Sequence, residues 1–164
     1  MTGLKMTTSI DLQNDDCLDS IPSPELLKTW VNAALQQSYA NLEQTIRVVG
    51  EVESGQLNEQ FRNKPGATNI LSFPDDSTLL EYDCLGDLVI CAAIVEAEAR
   101  QQAKPVEAHW AHMVVHGMLH LQGFDHQQDI EATEMENLEI NILATLGYAN
   151  PYNDATTNCG GEND

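Results

Sequence analysis

Positive charge is scarce in this chain: 7 lysines and arginines stand against 26 acidic residues in 164, a formal net charge of −19. Sequence-independent affinity for nucleic acid comes largely from lysine and arginine neutralising phosphates, so free RNA is expected to bind this surface weakly and DNA is not an expected partner. Cysteine is also scarce. Cys17, Cys84, Cys91 and Cys159 form no CxxC pair and follow no framework spacing, which fits reduced thiols and gives them no evident function. Long apolar runs are missing too: the longest, 88–95, is far too short to cross a bilayer, and MTGLKMTTSIDLQNDD has no signal-peptide core. A cytoplasmic location with no membrane partner is therefore expected. No repeat or low-complexity block interrupts the chain. Its end, NPYNDATTNCGGEND (150–164), lacks apolar periodicity, so a single domain over 1–149 with a disordered tail is expected.

What is present reads as mixed structure. Residues 7–12 suit a first strand, followed by a helix that Ser23 caps and Pro24 opens, with Leu27, Trp30, Val31, Ala34 and Leu35 on its apolar side. Residues 45–52 are rich in β-branched side chains and predict a strand, 54–62 a short helix, and 69–73 another strand. Residues 86–91 read as a buried strand running into an alanine-rich helix over 92–102 that Pro105 ends. A helix over 105–121 follows, and a last one over 130–146 carries Met135, Leu138 and Ile142 on one face and stops at Gly147. Strands and helices mix without strict βαβ alternation, which predicts an α+β single domain with a small mixed sheet.

The informative segment is His116-Gly-Met-Leu-His120-Leu-Gln-Gly123-Phe-Asp-His126. In a helix, residues four apart stack one turn apart on one face, so His116 and His120 can share a metal ion. Gly123 can take the left-handed conformation that ends a helix, and the chain then turns back to deliver His126. Three neutral nitrogens leave the ion its full charge and a fourth position, where a bound water's pKa falls to about 7. Cysteine-rich structural zinc sites close that position, so an open, catalytic site is favoured. The spacing matches the zinc-protease pattern HExxHxxGxxH except that Gly117 stands in place of the glutamate general base, which weakens a protease reading.

His109 and His112 prolong the histidine line. His112 and His120 are eight residues apart, about 12 Å along a helix axis, too far for both to serve one ion comfortably. The pair 112/116 has no third ligand nearby, so 116/120 with His126 is preferred; His112 is expected packed beneath the site or hydrogen-bonded to a ligand, and His109 exposed. Zinc is the expected ion, although imidazoles also accept nickel and other divalent metals. Asp125 can orient an imidazole, take a proton from a metal-bound water or satisfy the turn's backbone. Arg62, in a 55–73 stretch with Arg62 and Lys64 against Glu59 alone, is the best candidate for a phosphate-binding cation, the alternative being an ordinary surface arginine. Thr68, Asn69 and Ser72 offer hydrogen bonds that suit either a substrate or a turn.

Taken together, HGMLHLQGFDH, LNEQFRNKPGATNILSFP (57–74), LGDLVICAAIVEAEA (85–99) and MENLEINILATLGY (135–148) resemble, in order, the signatures of the YbeY family of bacterial endoribonucleases. The resemblance implies a single-strand-specific, zinc-dependent endoribonuclease of ribosomal RNA maturation and ribosome quality control, meeting RNA on the ribosome or its small subunit. It also implies that His116, His120 and His126 bind zinc and that Arg62 is the functional arginine near the scissile phosphate. The family usually has aspartate where this chain has Asn69, and a small hydroxyl residue where it has Cys91. Two rivals remain at this level: a metal hydrolase of an amide or small phosphoester, and a non-catalytic ribosome-assembly factor whose metal only stabilises its fold.

Overall fold

The computed structural model describes residues 7–16, 18, 20–75, 84–124 and 129–152. Along these the order is β1 (Thr7–Gln13), α1 (Pro24–Ala34), β2 (Asn41–Val49), α2 (Glu51–Arg62), β3 (Ile70–Pro74), β4 (Gly86–Cys91), α3 (Ala92–Gln101), α4 (Val106–Leu121) and α5 (Asp129–Thr145). The strands form one mixed sheet in the order β1-β2-β4-β3. β1, β2 and β4 run parallel, and β3 is the antiparallel edge. This is the small mixed sheet with helices that the α+β reading predicts.

Local chemistry accounts for the boundaries. Ser23 Oγ accepts the Leu26 N–H at 3.1 Å and Pro24 occupies the first turn, where its missing N–H costs nothing. The strand expected over 45–52 instead spans Asn41–Val49, and the helix expected to begin at 54 begins at Glu51. Extended Gly50 separates them, and Glu51 and Glu53 suit a helix N-terminus because its unpaired N–H groups carry partial positive charge. The β-branched Val52 therefore belongs to the helix, where it is 76% exposed.

The sheet divides the helices between its faces. Leu42, Ile46, Val48, Ile70, Leu88 and Ile90 point to one face, where α1, α4 and α5 cover them. Val49, Leu71, Val89 and Cys91 point to the other, covered by Leu57 of α2 and Ile94 of α3. On that second face Ser54 Oγ bonds the Thr68 carbonyl and amide at 2.9 Å, and Asn58 Nδ2 donates to the Gly66 carbonyl at 2.9 Å. These bonds pin the loop into β3, so Thr68 serves the turn.

α4 is apolar on nearly every side and correspondingly buried: Trp110, Val114, Met118 and Leu119 are at most 1% exposed. It lies so close to the sheet that a Cβ on Gly117 would stand 2.7 Å from Ile70 Cδ1 and from Leu88 Cδ2. The missing glutamate of the protease pattern thus has a packing reason, since a side chain at 117 would enter the core rather than a metal site. At the helix end Gly123 has φ +99°, and the Phe124 N–H bonds back to the Leu119 carbonyl at 3.0 Å, the glycine turn that the sequence predicts. Gln122 ties this end to the α1–β2 connection, donating to the Ala34 carbonyl at 2.9 Å and accepting the Gln36 N–H at 2.8 Å.

Candidate metal centre

His109, His112, His116 and His120 form a line of rings along α4, with successive centroids 6.0, 6.2 and 4.6 Å apart. The closest approach is between His116 Nε2 and His120 Nε2, at 3.1 Å. Two nitrogens bound to one tetrahedral zinc at 2.0–2.1 Å stand about 3.3 Å apart, so these atoms already have the bite of a shared ion. Both rings are half-buried, whereas His109 and His112 are buried. His126, the third arm of the expected tripod, and its neighbour Asp125 lie outside the described residues.

Behind this pair lies a carboxylate that local sequence patterning did not single out. Glu139 of α5 is 0% exposed. Its Oε2 accepts from His116 Nδ1 at 2.6 Å, and its Oε1 accepts from His112 Nε2 at 3.0 Å. The Tyr152 hydroxyl donates to the same Oε1. Burial by itself pushes the Glu139 carboxyl up, but hydrogen bonds from His112 and His116 outweigh it and hold the group ionised, well below the usual carboxylate range. Burial lowers His112 toward its neutral form, and burial beside the Glu139 charge raises the Tyr152 phenol. A cleft of about 290 Å³ lined by His116, Ala132, Met135, Glu136, Glu139 and Tyr152 opens onto the cluster. The larger cleft, about 490 Å³ at the start of α2, carries Asp16, Glu51 and Glu53, a poor seat for phosphate.

Two expectations about the histidines need correction. The pair 112/116 does have a third donor nearby: one donor atom each from His112, His116 and Glu139 lie within 4.8 Å of one another, a group that could hold a metal ion. The nearby donor comes from α5, and a helix pairing of that kind is tertiary rather than local. His109 is not exposed: it is 2% exposed, and its Nε2 donates to Glu98 Oε1 at 2.8 Å. Asn69 Nδ2 donates to Glu98 as well, at 3.1 and 3.3 Å. The amide at 69 supplies an N–H donor to Glu98 that an ionised aspartate would lack. His112 is buried and hydrogen-bonded to Glu139.

Arg62 sits exposed in the last turn of α2, on the face of the sheet opposite α4. Its neighbour Phe61 meets Phe73 of the edge strand β3 edge to face, with centroids 5.2 Å apart. α2, which carries Arg62, and α4, which carries the histidines, thus lie on opposite faces of the sheet. Ser72 is half-buried on β3, on the side that faces α4.

Comparisons with known proteins identify the family. A sequence model of the family described as Endoribonuclease YbeY matches residues 10–147. Two proteins of that description, from two strains of Pseudomonas putida, are each 53% identical to the chain over 138 residues, covering 83% of it and 88% of their own length. A Thermotoga maritima protein solved in solution shares the fold with a TM-score of 0.55 at 24% identity, covering 95% of this chain and 100% of its own. The family match takes in the second half of β1, β2 to β4, α1 to α5 and the histidine line of α4, and the chain belongs to the YbeY family.

Proposed function

We propose that this protein is a zinc-dependent endoribonuclease that cuts single-stranded segments of ribosomal RNA during maturation and quality control of the ribosome, in the cytoplasm. The observation that carries the reading is the 3.1 Å approach of the His116 and His120 Nε2 atoms at a half-buried surface, in a chain of this family. His116, His120 and His126 would hold the ion. When bound, zinc supplies an activated water near neutral pH and draws charge from a phosphoryl oxygen. Neutral imidazoles leave that charge undiminished, which three carboxylates would not.

The protein's own groups do the rest. Arg62 offers a planar fork to the phosphate, stabilising charge that builds on its non-bridging oxygens. Because α2 and α4 lie on opposite faces of the sheet, an RNA strand would have to pass around the sheet to meet both Arg62 and the histidines. Asp125, next to His126 in sequence, orients that ring or accepts a proton. A net charge of −19 argues for RNA presented on the ribosome, with other contacts helping, rather than captured free.

Zinc-loaded protein incubated with ribosomal RNA fragments and with a peptide panel tests the proposal. RNA should be cut within single-stranded segments. Arg62→Ala should lower the rate by about 10²–10³ with zinc content unchanged, the cost typical of losing one donor to a developing anion. Cleavage of peptide but never RNA would overturn the substrate. A cyclic phosphate among the products would replace direct water attack with attack by the RNA 2′-hydroxyl.

A further inference from the structure

The His116 ring is held from both sides, and the two contacts are chemically unlike. Its Nε2 faces the Nε2 of His120 at 3.1 Å, while its Nδ1 lies 2.6 Å from Glu139 Oε2. A neutral imidazole carries one proton, on one nitrogen or the other. A carboxylate only accepts, so the proton of His116 belongs on Nδ1 and the lone pair on Nε2. We infer that Glu139 is a positioning residue for the metal centre: it fixes the ring angle and tautomer of His116 so that Nε2 is the ligating atom. This rests on the proposed reading of His116 and His120 as ligands.

Three further observations support the assignment. Glu139 is completely buried, and both of its oxygens are engaged, Oε1 by His112 and Tyr152 and Oε2 by His116. The same logic sets His112, whose Nε2 must donate, leaving its Nδ1 as a buried atom without a hydrogen-bond partner. His112 is thereby turned toward Glu139 and away from service as a ligand. Finally, the same three residues, His112, His116 and Glu139, form a group that could itself hold an ion. A cation there would displace two N–H donors from a buried carboxylate, whereas a cation at the paired Nε2 atoms leaves that network intact. A carboxylate behind a metal-binding histidine raises the basicity of the ligand and keeps it aligned, and its loss typically costs about 10–100-fold in metal affinity.

The test is zinc affinity, measured by competition with a chromophoric chelator, in the unchanged protein, Glu139→Gln and His120→Ala. Glutamine keeps an acceptor oxygen at only one of the two positions that Oε1 and Oε2 occupy, and puts an NH₂ donor at the other, against one of the two imidazole N–H groups. Zinc binding should weaken by about 10–100-fold in Glu139→Gln and by more in His120→Ala. Nitrogen-15 spectra of the zinc-free, unchanged protein should place the His116 proton on Nδ1, a readout that does not depend on how the variants fold. A proton on Nε2, or unchanged affinity in a folded Glu139→Gln protein, overturns the inference. So does a Glu139→Gln protein that loses zinc altogether while His120→Ala keeps it, because Glu139 would then be a ligand. If neither His116→Ala nor His120→Ala alters zinc affinity, the metal-site reading itself fails, whatever Glu139 does.

Discussion

The two ends of α4 carry the same chemical pair in different surroundings. At the start, His109 donates to Glu98 at 2.8 Å, and Asn69 Nδ2 donates to both oxygens of that carboxylate. Near the end, His116 donates to Glu139 at 2.6 Å, and its far nitrogen meets a second imidazole at 3.1 Å. The far nitrogen of His109, Nδ1, is instead a buried atom without a hydrogen-bond partner. A histidine–carboxylate pair is therefore not a site by itself. At the His116 end the second nitrogen reaches a half-buried surface with another imidazole nitrogen at the distance a shared ion would need; at the His109 end the pair is a buried polar contact that fastens α3 to α4.

That contrast can be broken experimentally. The largest effect belongs to His120→Ala, which removes the partner nitrogen at the open end: zinc binding and RNA cleavage should both be lost while circular dichroism and thermal unfolding of the metal-free protein stay close to those of the unchanged chain. Between the two ends, Gly117→Ala would push a methyl group against Ile70 and Leu88, a crowding that typically costs about 1–3 kcal/mol in urea unfolding. Zinc affinity of the folded fraction should be preserved, because Cβ at 117 points to the sheet and not to the histidines.

At the closed end, Glu98→Ala should lower stability by about 1–3 kcal/mol, the usual cost of stranding a buried donor, here His109 Nε2. Zinc affinity should not change, and a loss comparable to that of Glu139→Gln would erase the distinction between the ends. The smallest effect is on pH dependence. Burial pushes the Glu98 carboxyl up, but hydrogen bonds from His109 and Asn69 bring it below its ordinary 4.5. Its folded value is depressed, so its contribution is complete above the ordinary value and fades as pH falls through the folded one. The stability of Glu98→Ala should accordingly decline less steeply below about pH 4.5 than that of the unchanged protein.

Much of the open end was legible in the sequence, because its logic is local. Four-residue spacing put His116 beside His120, Pro105 and Gly123 marked the limits of the helix, and the absence of a glutamate at 117 argued against peptide chemistry. The closed end and the orienting carboxylate were not legible, because each depends on which helices touch. Glu98 reaches His109 from α3, and Glu139 reaches His112 and His116 from α5. A signal for Glu139 did exist: it stands among Met135, Leu138 and Ile142, an acid within an apolar stripe. An ionisable group at such a position is costly to bury unless something pairs with it, so the stripe alone points to a partner on a neighbouring element. The placement of Arg62 across the sheet from α4 depends on the topology β1-β2-β4-β3, which local patterning does not encode.

The central claim is where the ion sits, and anomalous scattering at the zinc edge from crystals grown with zinc tests it most directly. The account predicts a peak about 2.0–2.1 Å from Nε2 of both His116 and His120, with Glu139 still bonded to His116 Nδ1. A peak enclosed instead by His112 Nε2, His116 Nδ1 and Glu139 would contradict it.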